Sequence, residues 1–211
     1  MGDDDMASKI AICNMALGWL GAPPIASLTE NRPEARYADQ YYDLALEQCL
    51  RDHRWNFAQR RVRLAEVDVP DGYGAVYENA YALPVDCLMA HTVLDAGANE
   101  MEFEIALAPD GASKIILTHT VDAFLSYTAR VDITELFDPN FSRALARRLA
   151  ADLAVPILKN NPQKVQEAET LYMNAIRAAQ LADAKEGKPE EVEDTPWITA
   201  RTGVVGVIYG R

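Results

Sequence analysis

The sequence predicts an α+β fold, in which a four-helix bundle carries an inserted antiparallel β lobe and ends in an extended C-terminal arm. Apolar residues recur at helical spacing in the first quarter of the chain and again before Gly187. Between these parts, apolar and polar residues alternate with the period of two that is typical of half-buried strands. The predicted units are a disordered start at 1–7, a helical bundle domain made of 8–54 and 138–186, an inserted β domain at 55–137 and the arm at 187–211.

The first helix is predicted to begin at Ser8, whose hydroxyl can cap its N-terminus. Two adjoining apolar stripes run along it, and a helix with two such stripes is buried on most sides. Trp19 belongs to the second stripe, so we expect it in the core. Gly21 suits the left-handed position after a helix end, and Pro23 with Pro24 prevents continuation. The stripes are Ile10, Cys13, Leu17 and Leu20, and Ile12, Met15 and Trp19.

The second helix is predicted to begin between Asn31 and Pro33, because proline is tolerated in the first turn of a helix. Leu46 lies in the middle of its apolar stripe, and we expect it in the core. Trp55 follows where the chain turns into a strand, and we expect it in the core as well. The stripe comprises Ala35, Ala38, Tyr42, Ala45, Leu46, Cys49, Leu50 and His53.

The middle of the chain is predicted to form strands. The clearest turn signal is Pro109-Asp110-Gly111, which predicts a hairpin. The expected strands lie within 55–67, 73–86, 87–94, 101–107, 113–120 and 125–131.

Two further helices follow the strands. Asp138 is predicted to cap the third helix and Asn161 the fourth, each directly before a proline. Pro156 is expected to kink the third helix near its end or to mark its last turn. The fourth helix is expected to end at Gly187 and Pro189.

Three short motifs follow one another in the first quarter of the chain: Leu20-Gly21-Ala22-Pro23-Pro24, Ser27-Leu28 and Trp55-Asn56-Phe57. They resemble the opening of the podovirus tail tubular protein A, or head-to-tail adaptor, family. Members of that family begin with a helix that ends in an Ile/Leu-Gly-x-Pro-Pro loop, followed by a Ser-Leu element, a polar turn and a long helix closing on Trp-x-Phe. The stretch from Tyr81 to Leu88 also resembles the Tyr-x-Leu-Pro-x-Asp strand turn of the family. The resemblance covers roughly residues 8–185.

The resemblance implies a structural virion protein and not an enzyme. It would be one subunit of a twelvefold ring that joins the phage portal to the tail tube or nozzle. Its implied partners are the portal protein, the tail nozzle protein, further copies of itself and DNA that passes through the lumen without sequence-specific binding. The implied location is the virion neck, reached after assembly in the host cytoplasm. The alternatives are another neck protein, namely a stopper or head-completion factor, and a carbohydrate hydrolase.

The composition limits the classes of partner. The formal net charge is −12, which argues against sequence-independent nucleic-acid binding but fits an acidic channel wall that lets a duplex slide. No run of apolar residues is long enough to predict a membrane helix. Cys13, Cys49 and Cys87 are expected to be free thiols in a reducing compartment.

The sequence predicts no metal site and no cofactor, because His53, His91 and His119 show no ligand spacing and no phosphate-binding loop is present. Glu102 and Glu104 form the carboxylate pair that a hydrolase would use, although a solvated strand face explains them more simply.

Two groups of residues are candidates for partner contact. A basic cluster either binds an acidic partner surface or pairs with the carboxylates of this chain. Large apolar residues in the arm are predicted to dock on the portal or on the next subunit. The basic cluster is Arg51, Arg54, Arg60, Arg61 and Arg63, and the arm residues are Trp197, Ile198, Val204, Val205, Val207, Ile208 and Tyr209.

Overall fold

A computed structural model of the protein describes residues 3–159 and 161–186. These residues form an α+β fold with four helices and two antiparallel sheets. The helices are α1 (Asp3–Trp19), α2 (Pro33–Arg51), α3 (Pro139–Leu158) and α4 (Pro162–Glu186). The strands are β1 (Gln59–Arg63), β2 (Glu66–Val67), β3 (Asn79–Ala82), β4 (Cys87–Leu94), β5 (Glu100–Met101), β6 (Phe103–Leu107), β7 (Lys114–Thr118) and β8 (Phe124–Ala129).

The start of α1 corrects a prediction. The helix begins at Asp3 and not at Ser8. Aspartate is favoured in the first turn of a helix because it complements the positive end of the helix dipole, and the sequence supplies three aspartates there. The end of α1 agrees with the sequence, since Gly21 has a φ of 71° and the Ala22 N–H bonds the Leu17 carbonyl at 3.0 Å.

The position of Trp19 also corrects a prediction. The sequence places it in the core, but 36% of it is exposed. The buried face of α1 consists of Ile12, Cys13, Ala16 and Leu17. Met15 and Trp19 lie about one and two helical turns after Ile12. Trp19 therefore lies at the edge of the buried face, where its ring contacts Arg147 of α3.

The third helix is the centre of the helical region, because α3 packs against α1, α2 and α4. Asp138 caps it as predicted, accepting from the backbone N–H of Asn140 at 2.7 Å and of Phe141 at 3.4 Å. Pro156 falls in its last turn. Leu46 and Trp55 are both buried in the core that these helices share. The largest buried side chains of this core are Trp55, Tyr172, Phe141, Leu17, Leu46, Leu50, Leu145 and Leu149.

The two sheets have the strand orders β1-β8-β4-β5 and β2-β3-β7-β6. One apolar cluster lies between them, with Leu125 and Tyr127 from one sheet and Tyr81 and Ile116 from the other. A second, smaller cluster packs the loop residues Val69, Tyr73 and Tyr77 against the other face of the second sheet. The predicted hairpin turn is present, and Gly111 there has a φ of 67°. The sheets therefore pack face to face and join the helical region through the ends of α2 and α3.

Candidate functional site

The end of α2, the start of β1 and the last turns of α4 meet at one place, which we call the joint. Trp55 fills it, with only 1% of the residue exposed, and its indole N–H donates to the Cys49 carbonyl at 2.8 Å. The Trp55 ring packs edge-on against Phe141 of α3 at 4.9 Å between centroids. The Phe57 ring packs against Phe141 at the same centroid separation, so both rings of the Trp-x-Phe motif contact α3.

Asp183 of α4 provides the polar half of the joint. Its carboxylate accepts the Asn56 backbone N–H at 3.0 Å, and its backbone carbonyl accepts the Asn56 amide at 2.8 Å. His53 Nε2 lies 3.1 Å from the second carboxylate oxygen. Asp183 is buried, so these bonds satisfy a carboxylate that would otherwise be costly to remove from water. The bonds tie α4 to the connection between α2 and β1.

A second polar group joins α4 to the end of α2. The Tyr172 hydroxyl donates a hydrogen bond to the Asp52 carboxylate. It also accepts one from the Cys49 thiol, at 3.9 Å. Burial, followed by the nearby Cys49 and Asp52, raises the pKa of Tyr172 above its ordinary value. Gln180 donates to the Asp52 carbonyl at 3.0 Å and completes the contact between the two helices.

The cysteines do not supply a nucleophile at neutral pH. Burial raises the pKa of Cys13 and of Cys49 to about 12, and that of Cys87 to about 11. A thiol with such a pKa is almost wholly protonated at pH 7, and the thiolate is the reactive form. Within residues 3–159 and 161–186, no group of three or more His, Cys, Asp or Glu side chains could hold a metal ion. The hydrogen bonds of Asp183, Tyr172 and Gln180 connect α4 to the end of α2 and to the residues before β1.

Three of the five arginines of the predicted basic cluster form hydrogen bonds or ion pairs within the chain. Arg51 donates to the Leu88 carbonyl at 3.0 Å. Arg60 pairs with Asp86 at 2.7 Å, and Arg63 pairs with Asp122. Arg54 and Arg61 are exposed. The cluster lies across the end of α2 and strand β1 and does not form a single patch of unpaired charge.

Other candidate residues lie on the sheets. Glu102 and Glu104 are both exposed, and the Glu104 carboxylate accepts the Tyr77 hydroxyl at 3.0 Å, which raises the pKa of Tyr77. His91 contacts Thr128 at 2.8 Å, and burial lowers its pKa. The arm residues Trp197, Ile198, Val204, Val205, Val207, Ile208 and Tyr209 lie outside the described residues.

A groove runs along α3 and α4, and we call it the seam groove. At one end, a cleft of about 410 Å³ is lined by Trp19, Gly21, Arg147, Lys164 and Leu171, among others. At the other end, a cleft of about 300 Å³ shares Arg147 and Leu171 with the first and continues along the seam. The additional residues of this second end are Asn140, Arg143, Asn174, Ala175 and Ala178.

Arg147 is the central cation of the seam groove. Its guanidinium lies over the Trp19 ring at 3.5 Å from the centroid. Burial, followed by the charge of Arg143, lowers the pKa of Arg147. Among the ion pairs that the described part of the chain forms, none includes Arg143 or Arg147. The groove thus combines apolar walls with two cations that have no carboxylate partner within that part.

Sequence patterns missed both Asp183 and the seam groove. Asp183 lies four residues after Ala179, at helical spacing in the buried stripe of α4, and a carboxylate in an apolar stripe is a signal that could have indicated a buried partner. The groove has no such signal, because its cations lie on a helix face that looks solvated in sequence.

No helix among the described residues is long and apolar enough to cross a membrane. No protein-family model matches the chain, and no curated protein matches it.

Proposed function

We propose that the protein is a structural subunit of a phage head-to-tail adaptor ring, which joins the portal to the tail tube or nozzle. The motifs that resemble this family support the proposal. In this role the protein performs no catalysis and needs no cofactor. Its partners are the portal protein, the nozzle protein and further copies of itself in a twelvefold ring, and its final location is the virion neck.

One observation carries the proposal: the motifs that resemble the adaptor family are the residues that join the elements of this fold. Trp55, Asn56 and Phe57 form the joint with α3 and α4. A motif whose side chains make tertiary contacts is a more specific indication of relatedness than the same residues in an exposed loop, because those contacts restrict which residues fit.

Two of the other three motifs, the Pro23-Pro24 loop and the strand turn at Asp86, are also held by hydrogen bonds. Asn14 of α1 donates to the Ile25 carbonyl and accepts its N–H, both at 2.8 Å, and so fixes the Pro23-Pro24 loop. Asp86 of the strand turn accepts the Tyr127 hydroxyl at 3.0 Å, and its carbonyl accepts the Arg130 N–H at 2.7 Å. Both motifs therefore hold a loop against a regular element, which supports the proposed relationship.

We further propose that the four helices form one bundle, from which the sheets project as a lobe. The packing of α1, α2 and α4 around α3 supports this arrangement. Arg148 of α3 adds to it, because it pairs with Asp152 on its own helix and with Glu169 of α4 at 3.2 Å. In an adaptor ring, the bundle would supply the wall and the lobe would extend toward the tail.

The net charge suits a channel subunit. With a formal charge of −12, the protein repels a DNA duplex instead of binding it, which lets the duplex slide through a lumen. The same charge makes copies repel one another. We expect the isolated subunit to be a monomer that forms rings only on a portal template.

The test mixes the purified protein with the portal protein of the same phage. We expect negative-stain images to show twelvefold rings on the portal, and sedimentation of the protein alone to show a monomer. A portal from an unrelated phage is the matched control and should bind nothing. If no complex forms with the cognate portal at moderate salt, the adaptor proposal is wrong. Stable rings without portal would contradict the template requirement.

A further inference from the structure

The seam groove has two features that a free surface rarely combines. Trp19 is 36% and Leu171 37% exposed, so large apolar side chains line it. Arg143 and Arg147 are one helical turn apart on the same wall, where like charges repel, and the charge of Arg143 contributes to the lowered pKa of Arg147. A ligand with carboxylates and an apolar group would offset the repulsion between the two arginines and would cover the exposed apolar side chains.

The chain itself contains a segment with that chemistry directly after α4. Residues 190–194 read Glu-Glu-Val-Glu-Asp, and Trp197 and Ile198 follow after a threonine and a proline. The order is acidic first and apolar second. The groove has the matching order, since Arg143 lies at the end nearer the C-terminus of α4 and Trp19 lies at the far end.

The reach of the segment fits the length of the groove. At 1.5 Å per residue, Ala178, Leu171 and Lys164 lie about 12, 22 and 33 Å from the end of α4 at Glu186. At about 3.3 Å per residue, an extended chain that doubles back from Glu186 places Glu190 at about 13 Å, Glu193 at about 23 Å and Trp197 at about 36 Å along the same path. Gly187 and Pro189 are residues that permit the required reversal.

We propose that residues 190–198 bind in the seam groove of the same chain, with the acidic run against Arg143 and Arg147 and with Trp197 against Trp19. The orientation follows from charge as well as from reach. Glu167 lines the groove at the Lys164 end and offsets that cation, so the acidic run is favoured at the arginine end. This contact is independent of the adaptor proposal. It differs from the portal or next-subunit docking that the sequence predicts for the arm, and such docking would have to displace it.

The experiment uses the full chain with Trp197→p-benzoylphenylalanine, a photo-reactive aromatic residue. After irradiation, peptide mass spectrometry identifies the crosslinked partner. We expect crosslinks to 18–21 and to the Leu171 region of α4. Mixing isotope-labelled with unlabelled protein before irradiation separates contact within one chain from contact between chains. Crosslinks only between peptides of the same isotopic composition support the proposal. Crosslinks between a labelled and an unlabelled peptide, crosslinks to the sheets or no crosslink at all would overturn it.

The charge contribution is tested in the same assay. Arg143→Gln combined with Arg147→Gln should lower the crosslink yield about fivefold, the size expected for the loss of two ion pairs at the surface. The matched control is Arg36→Gln on the exposed face of α2, which should leave the yield unchanged. Circular dichroism confirms that the variants are folded. We also expect the crosslink yield of the protein with both arginines to fall from low to high salt. If the yield changes neither in the double variant nor with salt, the electrostatic part of the proposal is wrong.

Discussion

The helical region and the two sheets are stabilised in different ways. All four helices contribute to one continuous apolar core, in which most side chains are fully buried. The sheets share a smaller cluster between their facing surfaces and leave Ile105 and Leu107 of the edge strand β6 exposed. Because stability grows with the apolar area removed from water, we expect the helices to contribute most of the free energy of folding and the sheets less.

The two regions also use polar groups differently. Asp183 and Tyr172 of α4 make partly buried hydrogen bonds to residues that follow the end of α2 and are distant from them in sequence. In the sheets, Arg60 and Arg63 form ion pairs at the surface, where such pairs contribute little to stability. The first set of bonds therefore ties α4 to the end of α2, whereas the ion pairs of β1 lie at the surface of the sheet.

The largest effect is expected for Leu46→Ala in α2. Leu46 is fully enclosed in the helical core, so the substitution removes buried methyl groups and leaves a cavity. We expect a loss of about 3 to 5 kcal/mol in the free energy of unfolding, measured by urea titration with circular dichroism. The control is Leu44→Ala in the same helix, which is 62% exposed and should change the stability by less than about 0.5 kcal/mol. Equal effects from the two variants would show that the face of α2 is wrongly placed.

A smaller effect is expected for Leu125→Ala in β8. Leu125 is also fully buried, but its cluster between the sheets is smaller than the core of the helices. We expect a loss of about 2 to 3 kcal/mol in the same titration. Leu107→Ala on the exposed side of β6 is the matched control and should have little effect. If Leu125→Ala cost as much as Leu46→Ala, the contrast between the two regions would fail.

Asp183→Asn tests the polar part of the joint. The variant keeps an oxygen that can accept the Asn56 N–H, but it loses the negative charge next to His53. We expect a loss of about 1 to 2 kcal/mol in unfolding free energy. Glu186→Gln, at the exposed end of α4, is the control for removing one negative charge. A cost for Asp183→Asn no larger than that of the control would mean that the joint does not stabilise the fold.

Local signals in the sequence predicted much of the fold. The Asp138 cap, the left-handed Gly21 and the turn at Gly111 each depend on a few neighbouring residues, and each is present. The bond between Asn56 and Asp183 could not be predicted in this way, because it joins residues 127 positions apart. Trp19 was misassigned for a related reason: periodicity shows which residues share a stripe, but only packing shows which stripe faces another helix.

The thiols give a chemical measure of the same contrast. At pH 8, a pKa of about 12 leaves about one Cys49 or Cys13 thiol in ten thousand ionised, and a pKa of about 11 leaves about one Cys87 thiol in a thousand. Cys87, in the sheets, is also less buried. We expect iodoacetamide to modify Cys87 first in the folded protein, as followed by mass spectrometry.

In guanidinium, all three thiols should react at similar rates, which serves as the control for the alkylation. Modification of Cys13 or Cys49 before Cys87 in the folded protein would show that the helical core opens more readily than the sheets.

The smallest effect concerns pH and His91 of β4. Burial, and then Arg54, lowers the pKa of His91, so the unfolded chain takes up this proton at a higher pH than the folded protein. The stability that neutral His91 provides is therefore fully present above its ordinary pKa near 6.5 and is lost as the pH falls through its lowered value. His91→Gln should weaken the decline in unfolding free energy between pH 7 and pH 5. An unchanged decline would assign the pH dependence to other groups.

Native-state hydrogen exchange of the full chain, followed by mass spectrometry, tests the contrast between the helices and the sheets most directly. It reports the free energy of opening for each element in one experiment. We expect amides in the buried halves of α2 and α3 to exchange only through global unfolding, and amides of the edge strands β5 and β6 to exchange through local opening at a lower free energy. Protection of β5 and β6 equal to or greater than that of α3 would contradict the account.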